Sequence, residues 1–456
     1  MNAAIPHWTD DAVIYHLFPL GCLGAPARNP MAGPPVHRLR ELHGWLDHLA
    51  ELGADTLLLG PVFESTAHGY DTMDYFHVDR RLGSDEDLEQ FSRAVHDRGM
   101  RLVLDGVFHH TGRDFWAFRD LREKGAASDF AGWYHVDFSR RSPYGDPFHY
   151  EGWAGHYDLA KLNTAHPQVR DHLLHAVSSW IDRFGIDGLR LDAADSLDRD
   201  FQRQLAAHCR ARKPGFWLLG EVVHGDYREW ARPGGLDATT NYEAYKGLWS
   251  SQNDGNYFEI AFTLDREFGP GGIYRDIGLC NFADNHDVDR VASKLTEPAQ
   301  LFPLYLLLFA MPGTPALYYG SELGLRGLKG PDSDAALRPA ATPASLRRGA
   351  PVPDLFPALK RLVALRRAHA PLRRGDYRPL QVAALQLAFE RRLGEARTVV
   401  AVNGDGRPAT LDLALPGAGN GRLVDLLNPG DEFRLAGGRC ALPLPACWGR
   451  VLSLVP

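Results

Sequence analysis

Short apolar runs alternate with amphipathic stretches over the first four-fifths of the chain. The apolar runs predict strands at 12–18, 54–60, 100–107, 186–193 and 216–222, one ending at 239–242, one ending at Asp287, and one at 315–319. Helices are predicted between them. Val36, Leu39, Leu42, Leu46 and Leu49 recur at helical spacing over 36–52, with Gly53 as C-cap. Ser84 N-caps a second helix with Asp87 at the capping-box position, and Gly99 ends it. Further helices are read at 166–184, 198–212 and 299–311, as a loop plus helix over 252–268, and at 354–369, where Leu355, Leu359, Leu362 and Leu365 share a face.

Eight strands alternating with helices imply an α/β fold, and eight closes the sheet: a (β/α)8 TIM barrel built from 1–110 and 166–371. Residues 111–165 break the pattern. They are rich in Trp, Tyr, Asp, Gly and Pro and read as a small inserted domain after strand 3. Beyond residue 372 the pattern becomes short alternating strands with Gly/Pro turns, which predicts a C-terminal antiparallel β-sandwich over 372–456.

Composition narrows the partners. The formal net charge of −7 gives no support for nucleic-acid or anionic-membrane binding. Cys22, Cys209, Cys280, Cys440 and Cys447 are few, odd in number and without metal-ligand spacing, so they read as thiols in a reducing compartment. The N-terminal stretch has no basic-then-apolar run, and the longest apolar stretch, 301–311, is too short to span a bilayer. A cytoplasmic protein is expected, which argues against raw starch as substrate.

The candidate chemistry sits at three strand ends. Arg190 and Asp192 lie two residues apart on one face of a strand that should be apolar. Burying them is costly unless they pair, and an ion pair that only holds the fold is the competing reading. The run 216–220 ends in Glu221, and the run 279–283 ends in a polar cluster closing on Asp287. Three carboxylates on three strand ends suit hydrolysis of a glycosidic bond, as nucleophile, proton donor and stabiliser of a charged sugar ring. All three fall at the C-terminal ends of strands, where such barrels carry their sites.

These residues resemble the motifs of the α-amylase family of glycoside hydrolases. Residues 105–110, 188–195, Glu221 and 282–287 are similar to its four principal motifs, and 60–65, 162–163 and 313–322 to its secondary ones. The wording of 63–65 and 68–72 is most similar to the neopullulanase and cyclomaltodextrinase branch. The resemblance implies roles: Asp192 as nucleophile, Arg190 holding it ionised, Glu221 as acid and then base with a pKa raised toward neutrality, and Asp287 binding ring hydroxyls. It implies substrate contacts for His110 and His286, a stacking floor in Tyr70, and a further substrate-binding residue in Asp74. A small oligosaccharide is the implied partner.

Departures from the family pattern qualify this. His109 stands where the family usually has the Asn of a calcium site. Imidazole suits calcium poorly, so neither a metal nor any other cofactor is expected. Asp195 stands where many starch-cleaving members carry a basic residue, which suggests a different acceptor subsite. The first strand begins almost at once, without the N-terminal domain of dimeric cyclomaltodextrinases, so that mode of dimerisation is not expected and oligomeric state is left open. The expectation is a retaining hydrolase of short linear or cyclic malto-oligosaccharides, with α-1,4 and α-1,6 linkages both open. A transglycosylase using the same triad and a non-catalytic carbohydrate-binding relative are the alternatives.

Overall fold

The computed structural model describes residues 7–231, 235–331 and 333–455. Its centre is a closed ring of eight parallel strands: β1 (Ile14–Leu17), β2 (Thr56–Leu59), β3 (Arg101–Gly106), β4 (Gly188–Leu191), β5 (Trp217–Gly220), β6 (Ala238–Thr240), β7 (Gly278–Phe282) and β8 (Thr314–Tyr318). Each strand pairs with its sequence neighbours, and β1 closes the ring on β8 through Ile14↔Ala316. Alternation along each strand sorts the side chains. Ile14, Leu58, Val103, Trp217, Leu219, Cys280 and Phe282 fill the barrel interior, while Tyr15, Leu17, Leu57, Leu59, Leu102 and Leu104 pack outward in the larger core. The interior is therefore a packed floor, and the polar groups gather on the rim above it.

The helices form the outer layer. Ser84 accepts from Asp87 N–H and the Asp87 carboxylate accepts from Ser84 N–H, which caps the helix Asp85–Asp97. The helix expected over 36–52 is shorter. A 3₁₀ turn, Arg38–Leu42, precedes the α-helix His43–Leu52, and Val36 is half exposed rather than core. Its backbone explains the difference: Val36 N–H donates to Arg80 O and Leu39 N–H to Leu82 O, so this segment is tied to a neighbouring loop. Gly53 ends the helix at φ 91°, a left-handed conformation that favours glycine. The loop plus helix expected over 252–268 is present, with the helix at Tyr257–Phe268, and an unexpected helix, Tyr242–Asn253, precedes it directly after β6.

Between β3 and the helix Pro167–Phe184 the chain forms a small irregular unit. It holds the helix Trp116–Lys124 and a sheet of His110–Gly112, His156–Lys161 and Gly152–Trp153. Gly112 is dictated by close approach, because a Cβ there would lie 2.5 Å from Asp71 O. From Asp376 onward the chain is antiparallel: a six-stranded sheet and a two-stranded sheet, Ala409–Ala414 with Arg439–Leu444, enclose their own apolar core. Buried Arg391 joins this unit to the barrel by donating to Ala310 O and Leu372 O. Among the described residues no helix is long and apolar enough to cross a membrane, and the five cysteines are free thiols.

Candidate active site

Register makes the first contact. Asp105 on β3 and Arg190 on β4 are Cα partners, and alternation turns both toward the barrel axis. Arg190 Nη1 donates to both Asp105 oxygens at 2.8 Å and to Asp192 Oδ1 at 3.2 Å, while Nη2 lies 2.8 Å from Glu221 Oε2. The guanidinium is buried, so these carboxylates replace its lost hydration. The turn after Asp192 is strained: Ala193 sits at φ 44°, ψ 44°, which costs a non-glycine residue about 1–3 kcal/mol. That turn aims Ala193 N–H at Glu221 Oε2 (3.2 Å), and Ala194 N–H donates to Glu221 O (3.0 Å).

One positive charge thus faces three carboxylates. Burial, followed by Glu221, Asp105 and Asp287, raises the Asp192 carboxyl well above the usual range, and Arg190 only partly opposes this. Arg190 is the charge that favours the Asp192 carboxylate over this opposition. Carboxylates this close titrate as a set rather than singly. Asp287 behaves oppositely. Burial again works against its charge, but His286 and Arg338 hold its carboxyl well below the usual range, with His286 Nε2 at 2.9 Å and Arg338 Nη2 at 3.1 Å.

Tyr70, from the loop after β2, donates its hydroxyl to Asp105 Oδ2 (3.0 Å) and lies 2.5 Å from His286 Nε2. Its ring is nearly parallel to that of His286, 12° between planes and 5.5 Å between centroids. Burial, then His109 and His68, lowers His110 to about 3, so this imidazole is neutral. Its Nε2 is buried without a hydrogen-bond partner among the described residues and lies 4.0 Å from Asp192 Oδ2. A polar atom left open beside a carboxylate is suited to a ligand hydroxyl.

The whole chain agrees with this rim. Residues 39–348 match the family described as Alpha amylase, catalytic domain. The chain belongs to the α-amylase family of glycoside hydrolases. Neopullulanase 2 of Thermoactinomyces vulgaris is 32% identical over 98% of this chain and 78% of its own length. A cyclomaltodextrinase of Geobacillus thermopakistaniensis is 30% identical over 99% and 78%. The Arthrobacter globiformis cyclic α-maltosyl-(1→6)-maltose hydrolase, solved with that sugar, superposes with a TM-score of 0.83 at 29% identity, covering 99% of this chain and 100% of that one.

In this family member the barrel rim brings together Tyr70, His110, Arg190, Asp192, Glu221, His286 and Asp287. Asp74 is turned elsewhere: its carboxylate accepts from Phe76 N–H (2.7 Å) and pairs with His77 (2.8 Å). Asp195 accepts from Ser196 Oγ at 3.2 Å, one turn beyond Asp192. Several rim residues were not singled out from sequence. Asp105 carried a readable signal, an acid ending an apolar strand beside the Arg190 strand. Arg338 did not, because its loop has no motif; it donates to His286 O and Asp287 and lies over the Phe18 ring. Tyr242 links two of the acids. Its hydroxyl is 3.4 Å from Glu221 Oε1 and accepts from Asn285 Nδ2, and Asn285 Oδ1 accepts from Asp287 N–H.

Proposed function

We propose that this glycoside hydrolase cleaves α-glucosidic bonds of short linear or cyclic malto-oligosaccharides with retention, through a covalent glucosyl–Asp192 ester. Asp192 attacks C1 while Glu221 protonates the departing glycosidic oxygen. Glu221 then takes a proton from water, whose oxygen attacks C1 and releases Asp192. The observation that carries this reading is the one guanidinium shared by Asp105, Asp192 and Glu221. It places two acids side by side, and favours the close carboxylate spacing of retaining enzymes, about 5 Å, over the ~6.5–9.5 Å of inverting ones. Asp287, held ionised by His286 and Arg338, would accept ring hydroxyls and favour the positive charge that develops at C1. Tyr70 and His110 would bound the same sugar.

The reading needs no cofactor. Calcium does not fit at His109: its surroundings include His135 and Lys161, which with burial lower the imidazole to about 4, and Glu151 is already paired to Lys161 at 2.9 Å. An imidazole beside an ammonium is the wrong donor set for a hard cation. Two of the relatives named above, the cyclomaltodextrinase and the cyclic maltosyl-maltose hydrolase, act on cyclic glucans by their names, and the free cysteines suit work inside the cell.

A product time course tests this, using maltotriose, panose, cyclodextrins, cyclic maltosyl-maltose, pullulan and soluble starch, with Glu221→Gln as control. Rapid turnover of oligosaccharides or rings, little attack on polymer and an initial α-anomer by proton NMR are expected. An initial β-anomer would refute the double displacement, and products longer than the substrate would make the enzyme a transferase.

A further inference from the structure

Arg290 follows Asp287 in the segment after β7 and is fully buried. Its Nη1 donates to Tyr319 O (2.6 Å) and Ser321 Oγ (3.2 Å), and its Nη2 donates to Leu337 O (2.7 Å). Its backbone N–H donates to Gly327 O at 3.0 Å, and its guanidinium lies 3.9 Å from the centroid of the Tyr318 ring. The charge faces Asp284 across Ser321, whose hydroxyl donates to that carboxylate. One side chain therefore joins the segment after β7, the end of β8 and the turn Ala335–Leu337.

The contact to Leu337 bears on the rim. Its carbonyl belongs to the peptide unit from which Arg338 springs, so fixing that oxygen fixes where the Arg338 side chain starts. Arg338 Nη2 is shared between Asp287 Oδ1 (3.1 Å) and Asp334 Oδ2 (3.0 Å). Asp334 lies in the same loop as Arg338, and that pair would survive if the loop drifted; the pair with Asp287 would not. Packing alone does not call for an arginine at 290. Burying a guanidinium is costly, and apolar residues of like volume often hold a core as well. What arginine adds is a rigid fork of donors, able to keep the carbonyls of two loops at a set spacing.

We propose that Arg290 is a positioning residue for the reaction: through Leu337 O it holds Arg338 on Asp287, and so keeps the third carboxylate aimed at the sugar ring. This assignment rests on the hydrolase reading above. Asp287 is also faced by His286 and Arg190, which Arg290 leaves in place, so the loss expected is partial.

Steady-state kinetics on maltotriose across the pH range test it, with Arg290→Lys made alone and together with Arg338→Ala. Lysine keeps the charge and loses the fork. Alone, it should lower kcat/KM about tenfold and move the acid limb to higher pH, the direction expected of Arg338→Ala. In the Arg338→Ala background it should cost less than about twofold, because the contact it supports is already gone. A mere loss of folded protein would scale turnover by one factor at every pH and in both backgrounds. Equal losses in the two backgrounds, an acid limb that stays in place, or a wild-type-like Arg338→Ala would each overturn the assignment. If Arg290→Lys does not fold, Gly327→Ala decides. Its Cβ would lie 2.3 Å from Ala336 O, which displaces the same turn while leaving the guanidinium, and an unmoved acid limb there would overturn the assignment too. Wild-type turnover judges the hydrolase reading, and the comparison of backgrounds judges Arg290. An inactive wild type would overturn both.

Discussion

Glu267 offers a quantitative test of how the barrel supports its rim. It is buried at the end of the helix Tyr257–Phe268 and accepts from Asn241 Nδ2 at 2.9 Å. Asn241 also donates to Asn281 Oδ1 and N-caps the helix that begins with Tyr242, the residue against Glu221. Burial pushes the Glu267 carboxyl from its ordinary 4.5 up to about 8, so the folded protein keeps it neutral at pH 7 while the unfolded chain ionises it. A raised folded value gives stability that is fully present below 4.5 and is lost as pH rises through 8. About two and a half pH units at ~1.4 kcal/mol each make about 3 kcal/mol lost by pH 7. Glu267→Gln cannot ionise, and its amide oxygen can still accept from Asn241. Urea unfolding at pH 4.5, 6, 7 and 8 should therefore give a variant close to wild type at the lowest pH and about 3 kcal/mol more stable at pH 7. Turnover should stay within about twofold, because the Asn241 contact survives. A stability difference that does not change with pH would refute the reasoning.

Asp192→Asn should leave circular dichroism unchanged and lower kcat roughly 10⁴-fold or more; substantial remaining activity would remove Asp192 from the nucleophile role. Arg338→Ala takes one of the two cations from Asp287, so its carboxyl should rise, the acid limb of kcat/KM should move to higher pH, and kcat/KM should fall about 10–100-fold. Asp187 tests acid stability. Burial alone would raise its carboxyl, but His96, Lys213 and Leu102 N–H hold it at about 2, so its contribution is present above pH ~4 and is lost as pH falls toward 2. Asp187→Asn should therefore cost about 2 kcal/mol at pH 7, a difference that fades in acid unfolding titrations.

The parts legible in the sequence are those with a physical signature along the chain. Strand and helix periodicity marked the eight-fold alternation, and Arg190, Asp192, Glu221 and Asp287 stood out as charges ending apolar runs. Contacts between distant segments left no such trace. Arg338 reaches Asp287 from a loop without a pattern, and Val36 leaves its expected helix because its N–H meets Arg80 O. The upward push on the Asp192 carboxyl was also illegible, since it depends on Asp105 and Glu221 arriving at the same guanidinium. Asp74 shows the converse: a polar residue in a motif-rich loop that bonds locally to Phe76 and His77.

The ring closure of β1 on β8 has a consequence for how the protein comes into being. Arg190, Glu221, Asp287 and Tyr70 are supplied by segments spread over more than two hundred positions, and Tyr70 meets His286 across the ring that β1 and β8 close. Turnover therefore reports these long-range contacts, which helix and strand content alone does not. During refolding, far-ultraviolet dichroism should return before turnover does. The lag between the two signals is then a clock for the assembly of the rim, readable without any label on the protein.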